Sequence, residues 1–134
     1  MGFQQVNIVV SDLDASAAFY RLLGLELDAP AEDWPPGTGA RHAGSDRVDL
    51  DNVPMARLWG DDGLAAGETV LGFSATTPED VDRLYAELIA AGHKGRRQPH
   101  DAFFGARYAI VEDPDGHPIG LMGPRHPERS FTPG

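Results

Sequence analysis

The sequence predicts an α+β fold of two tandem βαβββ modules, whose curved mixed sheet surrounds a ligand cup and carries its helices outside. Three observations predict this class: two amphipathic helices, a strand before each helix, and three short β-like stretches after each helix. The 134 residues fit a single domain. Within it, module 1 covers about 3–60, module 2 about 68–123, and a loosely held tail 124–134.

Module 1 opens with a strand, because apolar residues alternate with polar ones over residues 5–10. Ser11 and Asp14 have the spacing of a capping box, and Gly24 stands where a helix would end. The β-like stretches follow at 25–28, 40–43 and 47–51. The helix between cap and stop is predicted to bury one apolar stripe: Ala15, Ala18, Phe19, Leu22 and Leu23.

Module 2 repeats this order after a strand at 69–75. Thr77 is the predicted cap, Pro78 takes the first helical position, and Gly92 ends the helix. Its β-like stretches are 95–98, 106–112 and 118–122. The stripe begins four residues after the cap, as in module 1, which predicts an internal duplication: Val81, Leu84, Tyr85, Leu88 and Ile89.

The composition argues against several classes of partner. The chain has 11 basic and 21 acidic residues and a net charge of −10, whereas nucleic acids and anionic membranes attract a basic surface. It has no cysteine, hence no disulfide and no thiolate metal site. The N-terminus lacks the pattern of a secretory signal, and no apolar run reaches the ~20 residues of a membrane span. A cytoplasmic location is the resulting expectation.

Three segments resemble the vicinal oxygen chelate superfamily, which contains glyoxalase I, extradiol dioxygenases and bleomycin-resistance-type binding proteins. They are the strand-to-helix entry at 6–12, the Ala18-Phe19-Tyr20 helix with Leu23-Gly24-Leu25, and the hairpin at 111–119 with Asp113-Pro114-Asp115-Gly116. The resemblance extends over residues 3–123. It implies homodimers, often with the cup completed across the interface.

The resemblance also implies where a divalent metal would be held. The superfamily's enzymes take one ligand from each of four strands, and the matching positions here are Gln5, Asp49, Val70 and Gly120. Val70 and Gly120 have no donor atom, and an amide with one carboxylate would hold a metal only weakly. We therefore expect no metal and no cofactor, and the branch that the sequence most resembles is the metal-free, drug-binding one.

Strand alternation predicts which side chains face the cup. Bulky aliphatic residues such as Leu50, Leu71 and Phe73 would face the helices, while polar or small residues face inward and leave room over Val70 and Gly120. Trp34 and Trp59 are predicted in loops at the cup wall. The full ligand-binding set is Gln5, Asn7, Trp34, His42, Arg47, Asp49, Asp51, Met55, Trp59, Val70, Gly72, Phe103, Phe104, Tyr108, Gly120 and Met122.

The leading hypothesis from the sequence is a non-catalytic protein that sequesters a bulky, largely planar hydrophobic molecule, such as an antibiotic, and so confers resistance. A first alternative is a metal-dependent glyoxalase- or dioxygenase-type enzyme with an atypical ligand set, in which His42 or Asp51 substitutes as a ligand. A second is a metal-free enzyme that uses His100 or Tyr108 for acid–base chemistry.

Overall fold

The computed structural model describes residues 2–29 and 34–133. They fall into two compact units: residues 5–69, and residues 70–133 with residues 2–4. Met1, residues 30–33, next to Trp34 in sequence, and Gly134 lie outside the described residues. The elements in chain order are β1 (Gly2–Val10), α1 (Leu13–Leu22), β2 (Ala40–Ala43), β3 (Val48–Asn52), α2 (Val53–Trp59), β4 (Thr69–Ser74), α3 (Pro78–Ala90), β5 (Gly95–Asp101), β6 (Arg107–Glu112) and β7 (Pro118–Met122).

The two units share one strand topology. In residues 5–69, β1 lies parallel to β3 and β2 pairs antiparallel with β3, giving the order β2-β3-β1. In residues 70–133, β4 lies parallel to β7, and β6 and β5 follow antiparallel, giving β4-β7-β6-β5. An isolated bridge from Asp28 to His42 occupies the place that β5 fills in the second unit. The α+β class with mixed strand pairing is confirmed.

Helix α3 confirms its predicted start and its predicted buried face except for Ile89, which is 40% exposed. The Thr77 hydroxyl accepts from Asp80 N–H and the Asp80 carboxylate accepts from Thr77 N–H, both at 3.2 Å, which completes a capping box. The α3 stripe packs on β5, β6 and β7, and Val81 is fully buried. Its apolar partners in this core include Phe73, Ala109, Val111, Ile119 and Leu121.

Helix α1 buries a different face from the predicted one. Its N-cap is Asp12, whose carboxylate accepts from Ala15 N–H at 3.0 Å, and not Ser11. The residues packed on the sheet are Leu13, Ala17 and Tyr20. At about 100° per residue, this buried face lies opposite the predicted stripe. The predicted stripe faces solvent, with Phe19 59%, Leu22 88% and Leu23 70% exposed.

Helix α2 was not predicted. Asn52 caps it by accepting from Met55 N–H at 3.0 Å, and a proline lies in its first turn. Trp59, predicted in a loop, ends this helix and is buried. Two further predictions are wrong: Arg47 lies in the turn before β3 with φ of 59°, and Leu71 is 38% exposed.

The C-terminal tail, predicted to be loosely held, is hydrogen-bonded to the turn at 102–105. His126 N–H donates to Gly105 C=O and Phe131 N–H to Phe103 C=O, each at 2.8 Å. Arg125 Nε donates to Phe104 C=O at 2.9 Å. Gly105 has a φ of 87°, and a Cβ there would collide with the His126 carbonyl oxygen, so glycine permits this close approach.

Across the described ranges, no helix is both long and apolar enough to cross a bilayer.

Candidate functional site

A chain of hydrogen-bonded polar side chains lies on one face of the sheet in residues 5–69. We call it the polar array; its members are His42, Asp49, Gln5, Asn7 and Asp51. His42 Nδ1 lies 2.8 Å from Asp49 Oδ1, and Gln5 Nε2 donates to Asp49 Oδ2 at 2.9 Å. Gln5 Nε2 also donates to Asn7 Oδ1 at 2.8 Å, and Asn7 Nδ2 donates to Asp51 Oδ2 at 2.8 Å.

Strand register explains why these side chains meet. Asn7 is opposite Asp49 in the parallel β1–β3 pair, and His42 is opposite Asp49 in the antiparallel β2–β3 pair. Residues two apart on a strand share a face, so Gln5 and Asp51 join the same side. The opposite side of these strands faces α1 and is apolar. The structure thus brings together five of the residues predicted to face a ligand.

Asp51 is the most deeply buried member of the array, with 3% of its surface exposed. Its pKa is raised from 3.8 to about 6, mainly because burial disfavours the charged carboxylate. A hydrogen bond from Asn7 lowers this pKa, the charge of Asp49 raises it, and His42 and the nearby Trp59 indole lower it. Burial outweighs these partners, so Asp51 exchanges its proton close to neutral pH.

Helix α2 supplies apolar surface in the same unit. Met55 is 3% exposed and Trp59 7% exposed, and both were predicted to line a ligand site. The Trp59 indole acts on Asp51 by lowering its pKa, which places α2 next to the polar array. Trp34 is half-buried outside any helix or strand, and Arg47 is exposed.

The predicted site residues of the other unit form an aromatic cluster. Phe104 packs edge-to-face on Phe103 and on Tyr108, with ring centroids 5.4 and 5.7 Å apart, and His100 packs on Tyr108 at 6.2 Å. Desolvation by these surroundings lowers the pKa of His100. Tyr108 and Phe103 are buried, so this cluster is a packed surface.

The space predicted over Gly120 is filled. A Cβ at Gly120 would lie 2.5 Å from the Tyr108 hydroxyl oxygen, so the Tyr108 ring occupies the volume that a larger residue would need. The expectation that Gly120 leaves room for a ligand is therefore wrong. Val70 is buried, while Gly72 and Met122 are half-buried on the neighbouring strands.

The side chains present do not suit a divalent metal. Within residues 2–29 and 34–133, no three His, Asp or Glu side chains come together as a metal-binding group. Both oxygens of Asp49 already accept hydrogen bonds or ion-pair contacts, and Gln5 uses its amide nitrogen to donate to Asp49 and Asn7. Hard divalent ions need several oxygen or imidazole donors directed at one point, and this array directs its donors at one another.

The fold is a repeated βαβββ unit. One unit carries the polar array, and the other carries the aromatic cluster. The family profile described as Glyoxalase/Bleomycin resistance protein/Dioxygenase superfamily matches residues 2–121. The chain belongs to this superfamily, as the sequence resemblance implied.

Solved structures share the fold. The Mn(II)-bound glyoxalase from Novosphingobium aromaticivorans is 24% identical with a TM-score of 0.61, covering 91% of this chain and 38% of its own. The 2,2′,3-trihydroxybiphenyl 1,2-dioxygenase from Sphingomonas wittichii strain RW1 is 20% identical, with a TM-score of 0.58 and coverages of 92% and 42%. This chain thus spans well under half of either enzyme.

A superfamily member from Vibrio splendidus 12B01 matches over nearly its full length. It is 15% identical with a TM-score of 0.56, covering 90% of this chain and 97% of its own. None of the curated proteins matches the sequence. These likenesses concern the fold, and they leave the activity to be argued from the site.

Proposed function

We propose that this chain binds and sequesters a bulky, largely planar small molecule, of the kind found among antibiotics and other natural products, with no resident metal and no turnover. The observation that carries the proposal is the closed hydrogen bonding of the polar array. Gln5 and Asp49, at positions where the superfamily's enzymes hold their metal, are hydrogen-bonded to each other at 2.9 Å. Val70 and Gly120, the other two such positions, have no donor atom.

The charge of the array favours a ligand with a cationic group. Two carboxylates, Asp49 and Asp51, stand on one strand face with a single imidazole, His42. Above pH 6 Asp51 is charged for most of the time, and its burial leaves that charge poorly solvated. A protonated amine would offset this charge, and the ligand's planar part would pack against aromatic side chains.

Tryptophan fluorescence and thermal unfolding test the proposal directly. The Trp59 indole lies close enough to Asp51 to lower its pKa, so a ligand at the array would change indole emission. Ligand binding to the folded state also raises Tm with ligand concentration. The probes are planar cationic antibiotics, each compared with an uncharged analogue. We expect saturable binding of cationic probes; a panel that changes neither emission nor Tm would refute the proposal.

Two matched pairs of variants locate the site. Asp49→Asn should weaken the binding of a cationic probe roughly 10-fold, because a charge-assisted contact is lost. Asp46→Asn removes the same charge from an exposed turn and should not weaken it. Gln5→Ala should weaken binding, and Gln98→Ala, on exposed β5 surface, should not. Equal effects within either pair would show that the array is not the binding site.

A second candidate function is metal-free acid–base catalysis, which the environment of Asp51 favours. A carboxyl group that titrates near pH 6 suits general acid or base chemistry at neutral pH. Mass spectrometry of a bound probe after incubation separates the two functions, because sequestration returns the probe unchanged. A product that forms with the native chain and not with Asp51→Asn would establish the enzyme.

The metal-dependent alternative predicts a different measurement. If the chain were a metal-dependent enzyme, elemental analysis of protein purified without chelator would find a stoichiometric divalent metal. We expect the metal content to remain far below one per chain, and we expect probe binding to survive treatment with chelator.

A further inference from the structure

We propose a second small-molecule site, for an organic anion with an aromatic or aliphatic part, in the cavity between the C-terminal tail and the turn at 102–105. This site is independent of the proposed function, because none of its lining residues belongs to the polar array. The cavity has a volume of about 450 Å³, within the usual range for ligand pockets, and its lining includes Ala102, Gly105, Ala106, Arg107, Arg129 and Phe131.

The walls of the cavity are built by ordered backbone. The tail is anchored on both sides by the His126–Gly105 and Phe131–Phe103 hydrogen bonds, each at 2.8 Å. Ala102, Gly105 and Ala106 are buried and small, which leaves the volume open beneath the tail. A site built in this way is largely formed before a ligand arrives, which limits the entropy lost on binding.

The lining of the cavity has one cation that no described carboxylate pairs with. The protein has a net charge of −10, and the lining has two guanidiniums, Arg107 and Arg129, with one carboxylate, Asp101. Arg107 is ion-paired with Asp82 at 2.9 Å and with Asp101 at 3.3 Å, which fixes its guanidinium. Among the described residues, no side-chain ion pair or hydrogen bond engages Arg129, so its guanidinium is available to a ligand carboxylate.

The apolar part of the ligand is indicated by Phe131. Its ring is 52% exposed although its backbone is hydrogen-bonded to Phe103. An anchored aromatic side chain at a cavity wall offers a flat surface for stacking, and covering it removes apolar area from water. Aromatic surface next to a guanidinium suits an aryl or alkyl carboxylate.

Chemical-shift mapping of the full chain tests the site with three probes of one shape: phenylacetate, uncharged phenylacetamide and cationic phenethylamine. We expect saturable shifts at the amides of Ala102, Gly105, Ala106 and Phe131 with phenylacetate, and binding at least 5-fold weaker for the other two. The phenylacetate affinity should fall as salt is raised. Equal affinity for all three probes, or shifts elsewhere only, would overturn the proposal.

Variants separate the charge from the stacking surface. Arg129→Gln should weaken the binding of phenylacetate about 10-fold. Arg41→Gln removes the same charge from β2 and should leave the affinity unchanged. Phe131→Ala should weaken phenylacetate and phenylacetamide by a similar factor. Arg129 and Phe131 are exposed, so folding should persist in their variants, as the same spectra verify. A native affinity in Arg129→Gln would overturn the assignment.

Discussion

The two modules share the same strand register but carry different side chains at equivalent positions. In the first, Asn7 is opposite Asp49 across the parallel strand pair; in the second, Gly72 is opposite Gly120 across the equivalent pair. The neighbouring strand supplies Ala40 opposite Asp51 in one and Tyr108 opposite Met122 in the other. The duplication therefore preserves register residue by residue while the side chains diverge.

The difference shows two ways of stabilising a buried sheet face. The first module carries polar groups there, and they are satisfied by hydrogen bonds to one another. The second carries glycines, and the Tyr108 ring fills the space over Gly120. One face carries titratable groups, and the other is packed.

Titration of Asp51 is the largest expected effect. The carboxyl has a pKa of about 6 in the folded chain and about 3.8 when unfolded, so the folded state binds the extra proton between these values. The native chain should lose stability, relative to Asp51→Asn, as pH rises from 4 to 7, by an amount on the order of 3 kcal/mol. Urea unfolding of both proteins at several pH values measures it; parallel profiles would contradict the assignment.

Gly120→Ala should cost about 2 kcal/mol, because the added methyl group meets the Tyr108 hydroxyl in a packed face. The same substitution should cost much less when Tyr108 is also alanine, since the ring is then absent. A double-mutant cycle in urea measures this coupling. Additive costs would show that Tyr108 does not limit the space at Gly120.

The helices provide a further contrast between the modules. Val81→Ala on α3 removes two buried methyl groups and should cost about 2 kcal/mol. Thermal and urea unfolding give the value. A cost near zero would mean that the α3 core is looser than its contacts indicate.

The smallest effect is expected on α1. Phe19→Ser should change stability by no more than about 0.5 kcal/mol, because its ring is 59% exposed. The sequence prediction, which placed Phe19 in the core, expects a loss of several times that size. The two outcomes are separated by the same urea experiment.

These results show what local patterns could and could not predict. The duplication, the α3 capping box and the inward-facing polar residues follow from spacing and alternation, which are local properties. The start of α1 was off by one residue because Ser11 and Asp12 are both competent caps. Its buried face is set by tertiary packing of Ala17 against the sheet, which the spacing of larger apolar residues on the other side did not indicate.

Contacts between distant residues were the part that the sequence did not disclose. The pattern placed Gln5 and Asp49 on one face, but not their hydrogen bond, which joins residues 44 apart. It marked Gly120 as small without showing that Tyr108 covers it. The cation and ring of the tail cavity, Arg129 and Phe131, lie in a proline-rich stretch whose composition resembles an unstructured end.

The glycine at 105 has a practical consequence for anyone who labels or immobilises this protein. Because the tail lies against that glycine, a reporter fused after residue 133 would sit on a tether of only a few residues beyond the Phe131–Phe103 hydrogen bond. Its tumbling would follow that of the unit formed by residues 70–133. A side chain at position 105 would collide with the His126 carbonyl oxygen and so detach the tail, which would lengthen the tether. The fluorescence anisotropy of the label would then fall.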